Sequence, residues 1–118
     1  MKRKREEILF GNLHTFFTPN FAFWEIYEKR DKILRYTKRT TEEFYETFAQ
    51  IIGVVQFVRD ADVSVESKQE ACRLCRDIAA KDIPFVALAV ALSAPLWTGD
   101  KRLKSHLIAR GYNNFFQL

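Results

Sequence analysis

The stretch KDIPFVALAVALS, residues 81–93, carries apolar side chains almost all the way round a helical wheel. A helix of that kind has no face to offer water, so the rest of the chain must be built to bury it. It opens on Asp82. PLWT (95–98) reads as a short strand after it. KRLKSHLIARG (101–111) reads as a basic helix that stops at Gly111. NNFFQL (113–118) reads as a closing strand.

The upstream half alternates in the same way. Residues 4–11 read as a short helix ending at Gly11, and HTFFT (14–18) as a strand. Pro19 then introduces one helix through NFAFWEIYEKRDKILRY, with Phe23, Ile26, Arg30, Ile33 and Leu34 at helical spacing. Thr40 and Glu43 have capping-box spacing ahead of a helix whose inner face is Phe44, Phe48, Ile51 and Ile52. VVQFV (54–58) reads as a strand. Ser64 or Ser67 caps the next helix, whose stripe is Ala71, Leu74, Cys75, Ile78 and Ala79. Helices alternating with short strands predict an α/β fold with a mainly parallel sheet covered on both faces. No repeat or linker interrupts the 118 residues, which fit one domain, residues 1–118.

Hydrophobic residues make up 47% of the chain, which excludes a disordered polymer. No apolar run is long and uncharged enough to span a membrane, and MKRKREEILF has no signal-peptide core. Two cysteines make no disulfide framework and fit a cytoplasmic protein. The net charge of +4 is concentrated in Lys2 to Arg5 and in Lys29, Arg30, Lys32, Arg35, Lys38 and Arg39. These clusters suit a nucleic-acid backbone. Glu6, Glu7, Glu28 and Asp31 lie among them, as on any solvated helix face.

Asp82 and Asp100 are the acids that invite chemistry. Asp100 follows Thr98-Gly99 at the carboxyl end of a predicted strand, where ligands of parallel sheets bind. A helix returning antiparallel to that strand brings Asp82 to the same edge. Two close carboxylates repel, and a divalent cation relieves the repulsion. Helix capping explains each acid separately, so capping and ligation both stand as readings.

At this point the residues become specific. DIPFVALAVALSAPLWTGDKRL resembles the C-terminal half of the PIN domain family, with Asp82, Ala87, Ala89, Thr98, Asp100 and Leu103 in the family's places. FFTPNFAFWEIYEKRDKIL resembles its second strand and following helix, with Glu25 at the position of a family acid. The resemblance spans about residues 6–116. It implies a three-layer α/β/α domain and Mg²⁺- or Mn²⁺-dependent cleavage of RNA. Glu25, Asp82 and Asp100 would hold the metal, and Thr98 would position water, carboxylate or phosphate. The metal orients and activates water and stabilises charge building on the phosphate. The partners implied are RNA, a protein antitoxin if the chain is the toxin of a toxin–antitoxin pair, and a second copy. No membrane is expected.

PIN domains begin with a central strand ending in an Asp. Here Met1 leads directly into KRKREEILF, which looks like the end of the first helix. The resemblance therefore implies a domain incomplete at its N-terminus, without its central strand and one ligand. A gap there leaves backbone groups unpaired, each costing about 1–3 kcal/mol when buried. Fewer carboxylates also hold a cation more weakly, so weak or absent activity is expected. The rival reading is a non-catalytic module that binds RNA or protein.

Other features read as structural. Cys72 and Cys75 lie mid-helix with no histidine at ligand spacing, which favours packing over zinc or redox chemistry. His106 reads as a surface histidine. Phe16, Phe17, Phe21, Phe23 and Trp24 read as core, with base stacking as the alternative.

Overall fold

The structure is a computed structural model that describes residues 7–11 and 13–117. The Lys2–Arg5 cluster, the start of the first predicted helix and Leu118 fall outside those residues. The fold is α/β, as expected: mostly helical, with a small parallel sheet. The chain forms two compact units, Met1–Val58 and Arg59–Leu118.

In the first unit residues 7–10 are helical. A side chain at Gly11 would collide with the Glu7 carbonyl, so the helix can close there only on glycine. Strand β1, Phe16–Pro19, pairs in parallel with β2, Val55–Val58, in the register Phe16 to Val55 through Pro19 to Val58. Val54, expected in that strand, belongs to the preceding helix. Asn20 extends the pairing by donating its N–H to the Val58 carbonyl at 2.8 Å.

The helix expected after Pro19 is two helices, α1 (Phe21–Glu28) and α2 (Arg30–Thr37), separated by Lys29 at φ −93, ψ 13. Arg30 stabilises the break. Its guanidinium lies 4.2 Å from the Tyr27 ring centroid and donates to the Tyr27 carbonyl at 2.9 Å. Hydrophobic spacing runs unchanged through a one-residue break, so periodicity alone cannot reveal it.

Helix α3, Thr41–Val54, begins on the expected capping box. Thr40 Oγ1 accepts from the Glu43 N–H at 3.1 Å, and Glu43 Oε1 accepts from the Thr40 N–H at 2.8 Å. Phe44 and Phe48 are buried, but Ile52 is exposed. The core of this unit is aromatic. Phe48 lies 5.3 Å from Phe23 and 5.7 Å from Phe44 between ring centroids, and Phe23 meets Phe57 edge-on at 6.1 Å. Of the five aromatics expected in the core, Phe17, Phe21 and Trp24 are instead exposed. Strand alternation sends Phe17 to the opposite face from Phe16.

In the second unit Ser64 caps α4, Val65–Cys75, by accepting from the Ser67 N–H at 3.1 Å. Ala71, Leu74 and Cys75 are buried; Ile78 lies past the helix end and is exposed. A 3₁₀ turn, Ala80–Asp82, leads into α5, Ile83–Leu92. This is the wholly apolar helix, and it packs along α4. Its burial is confined to Val86–Ala89, and Leu92 in the last turn is exposed. Helix α6, Lys101–Ala109, buries Leu103 and Leu107. Gly111 follows at φ +92, a conformation that favours glycine. Arg110 reaches back and donates to the Arg73 carbonyl at 2.7 Å, at the C-terminal end of α4.

The strands expected at 95–98 and 113–118 reduce to one parallel bridge, Leu96 to Phe115. Leu96 N–H donates to Asn114 and its carbonyl accepts from Phe116, both at 2.9 Å. Pro95 has no N–H to extend the ladder. His106 is not a surface residue: it is half-buried, and its Nε2 is enclosed with no hydrogen-bond partner among the described residues.

Candidate active site

The second unit places Thr98, Asp100 and Asp82. Thr98 Oγ1 accepts from the Asp100 N–H at 3.1 Å, fixing the turn through Gly99. Asp100 has extended backbone, φ −82 and ψ 102, and its Oδ1 accepts from the Leu103 N–H at 3.1 Å. The capping role expected of Asp100 is therefore present. It uses one carboxylate oxygen; among the described residues nothing donates to Oδ2. Capping and ligation are compatible in this residue.

Asp82 does not cap. It stands at the N-cap position of α5 with near-helical backbone, φ −91 and ψ −5, and makes no capping bond. A capping side chain needs extended backbone and a donor two or three residues ahead. Asp82 lacks the first, and Pro84 removes one of the donors. The carboxylate is half-buried instead. Burial pushes its pKa above the ordinary aspartate value; Lys81 opposes the rise, and the charge of Asp100 adds to it. The two acids thus share one electrostatic neighbourhood. Lys81 was not singled out by sequence, although its adjacency to Asp82 was the available signal.

Cys75 belongs to the same surroundings. It is fully buried, and its thiol is pushed up to about 11, by burial first and then by the charges of Asp82 and Cys72. Both cysteines are free thiols. Packing, the expected role, describes Cys75; Cys72 is exposed.

Glu25 lies on α1 in the first unit. It is exposed and pairs with Lys29 at 3.4 Å. Among the described residues, no three His, Cys, Asp or Glu side chains gather as a group that could hold a metal ion. The pair Asp82 and Asp100 nonetheless has the chemistry for a hard cation. Mg²⁺ typically takes one or two carboxylates and keeps several waters. A half-buried carboxylate whose ionisation is opposed by a second acid is the feature that a divalent cation would stabilise. No helix among the described residues is long and apolar enough to cross a membrane.

A family model described as PIN domain matches residues 1–110. No curated protein and no solved structure matches the chain.

Proposed function

Because the chain belongs to the PIN domain family, whose members are generally metal-dependent, we propose that it is a ribonuclease that hydrolyses phosphodiester bonds at Asp82 and Asp100. The observation that carries this reading is the raised pKa of Asp82 beside a second acid that caps a helix with only one oxygen. Such shifts concentrate at functional sites.

In this reading Asp82 and Asp100 hold Mg²⁺ or Mn²⁺. When bound, the ion supplies charge stabilisation at the phosphate and activation of water. The chain's own residues do the rest. Thr98 fixes the turn that presents Asp100, and the cap bond to Leu103 holds that carboxylate at the head of α6. Hydrolysis joins the oxygen of water to phosphorus, breaks the bond to the leaving oxygen, and transfers one proton to that oxygen. Two carboxylates give a weakly held ion, so turnover is slow. A ligand role for Glu25 is supported by resemblance alone, and Glu25→Gln in the same assay tests it. A protein antitoxin and a second copy are the partners that accompany this reading.

The test is cleavage of a labelled, unstructured RNA by the full chain with Mn²⁺. Slow cleavage, abolished by EDTA and by Asp100→Asn, is the expected result. RNA binding with no cleavage at any Mn²⁺ concentration would replace the enzyme with a binding module.

A further inference from the structure

Helix α2 turns Ile33, Leu34 and Thr37 inward to partial burial and leaves Lys32, Arg35 and Tyr36 exposed. Those three are spaced i, i+3 and i+4, which puts them on one side of the helix. Lys38 follows at the helix end in a left-handed conformation, φ 55, and is also exposed.

Two properties combine on this side of the helix. The first is the state of its cations. Several cations elsewhere are committed: Lys29 to Glu25, Arg59 to Asp62, Lys68 to Asp60 and Arg73 to Glu70; Arg76, Lys81, Lys101 and Arg102 are exposed without an ion-pair partner among the described residues. Arg39 donates to Thr47. Lys32, Arg35 and Lys38 have no ion-pair partner among the described residues, although Asp31, also exposed, is next in sequence to Lys32 and four residues before Arg35. The second property is Tyr36. The residue is 80% exposed, whereas Tyr27 on the neighbouring helix stacks on Phe48 and carries Arg30. An aromatic face left open among uncommitted cations is chemically suited to a polyanion that carries its own aromatic rings. An acidic peptide would use the cations and leave the ring uncovered. A base-paired duplex would offer phosphates with no base free to stack. Unpaired RNA uses both.

We propose that this outward side of α2 binds single-stranded RNA, with Lys32, Arg35 and Lys38 neutralising phosphates and Tyr36 stacking a base. The choice of RNA rests on the proposed ribonuclease reading; the surface itself does not involve Asp82 or Asp100. Contacts of this kind position a strand without reading its sequence.

The experiment is fluorescence anisotropy on the full chain in EDTA, so that no cleavage occurs, with a labelled unstructured RNA oligomer and with a blunt RNA duplex as probes. Single strands lose about 0.7 in the slope of log affinity against log salt for each phosphate contact removed. Lys32→Gln with Arg35→Gln should therefore make the slope shallower by about 1.4. Tyr36→Ala should weaken single-strand binding by about 5- to 150-fold, the range of one base stacked on an aromatic ring, and leave duplex binding unchanged. Tyr36→Phe should bind as the unaltered chain does. Circular dichroism of each variant checks that the fold is intact. An unchanged salt slope, full affinity in Tyr36→Ala, absence of RNA binding by the unaltered chain, or equal competition by poly-glutamate would each overturn the proposal; the last would assign the surface to an acidic protein. Loss of cleavage in Asp100→Asn with binding retained shows that the two proposals succeed or fail separately.

Discussion

Burial of Asp82 is the main force against its ionisation, and the charge of Asp100 works in the same direction. The chain accepts this cost at a position where the side chain returns no capping bond to its own helix. An acid held in that way destabilises the fold while it is charged, which gives a direct expectation for its removal.

Asp82→Asn should raise the melting temperature of the metal-free chain at pH 7 while abolishing Mn²⁺-dependent cleavage. The sign follows from linkage. A carboxyl whose folded pKa is raised contributes stability that is whole below its unfolded value, near 3.9, and is lost as pH rises through the folded value. The advantage of the Asn variant is therefore present at neutral pH and closes as pH falls toward 4. Differential scanning calorimetry at pH 7 and pH 4 measures it. A melting temperature at pH 7 no higher than that of the unaltered chain would contradict the electrostatic account.

The cap observed at Asp100 and the ligand role proposed for it separate by choice of substitute. Asn caps a helix about as well as Asp, whereas Ala costs about 0.5–2 kcal/mol. Asp100→Ala should lower stability by that amount and remove activity. Asp100→Asn should keep stability and still remove activity. Urea unfolding of both variants beside the RNA assay reads the two roles independently.

The thiols should differ sharply. Cys72 is exposed, and Cys75 is buried with its thiol pushed up to about 11. At pH 8 the native chain should titrate one rapidly reacting thiol, and the second only after unfolding. The raised value also means that the stability contributed by Cys75 is whole below the unfolded thiol value, near 8.5, and is lost as pH climbs toward 11. Two thiols reacting at equal rates in the native chain would show that Cys75 is not enclosed.

Burial predicts a contrast along one former stripe. Leu74 is 1% exposed and Ile78 44%. Leu74→Ala should cost about 2–5 kcal/mol. Ile78→Ala should stay within about 0.5 kcal/mol, as surface changes do. Urea midpoints of the two variants test whether α4 ends where the structure ends it.

The parts legible in the sequence were those fixed by local chemistry. The Thr40–Glu43 box, a serine cap at Ser64 or Ser67, Gly111 and the existence of α5 each depend on residues within a few positions of one another. The break at Lys29 was hidden because hydrophobic spacing continues through it, and its stabilising contact is a cation–π geometry with no spacing signature. The closing strands shrank to the Leu96–Phe115 bridge because a ladder depends on neighbours that a strand's own residues do not specify. At the site, the motif around Thr98 and Asp100 was readable, and so was the cap. That Asp82 fails to cap depends on its backbone angles, which no residue choice announced, and on Pro84, whose missing N–H was readable. His106 was misplaced for the same reason: exposure is set by what packs over a helix, not by the charges beside it.

The central claim is that Asp82 and Asp100 together hold one divalent ion. Isothermal titration of the purified chain with Mn²⁺ measures this directly. The account predicts a single weak, saturable site per chain that disappears in both Asp82→Asn and Asp100→Asn, with each variant still folded. Mn²⁺ binding that is absent from the unaltered chain, or identical in all three proteins, would contradict it.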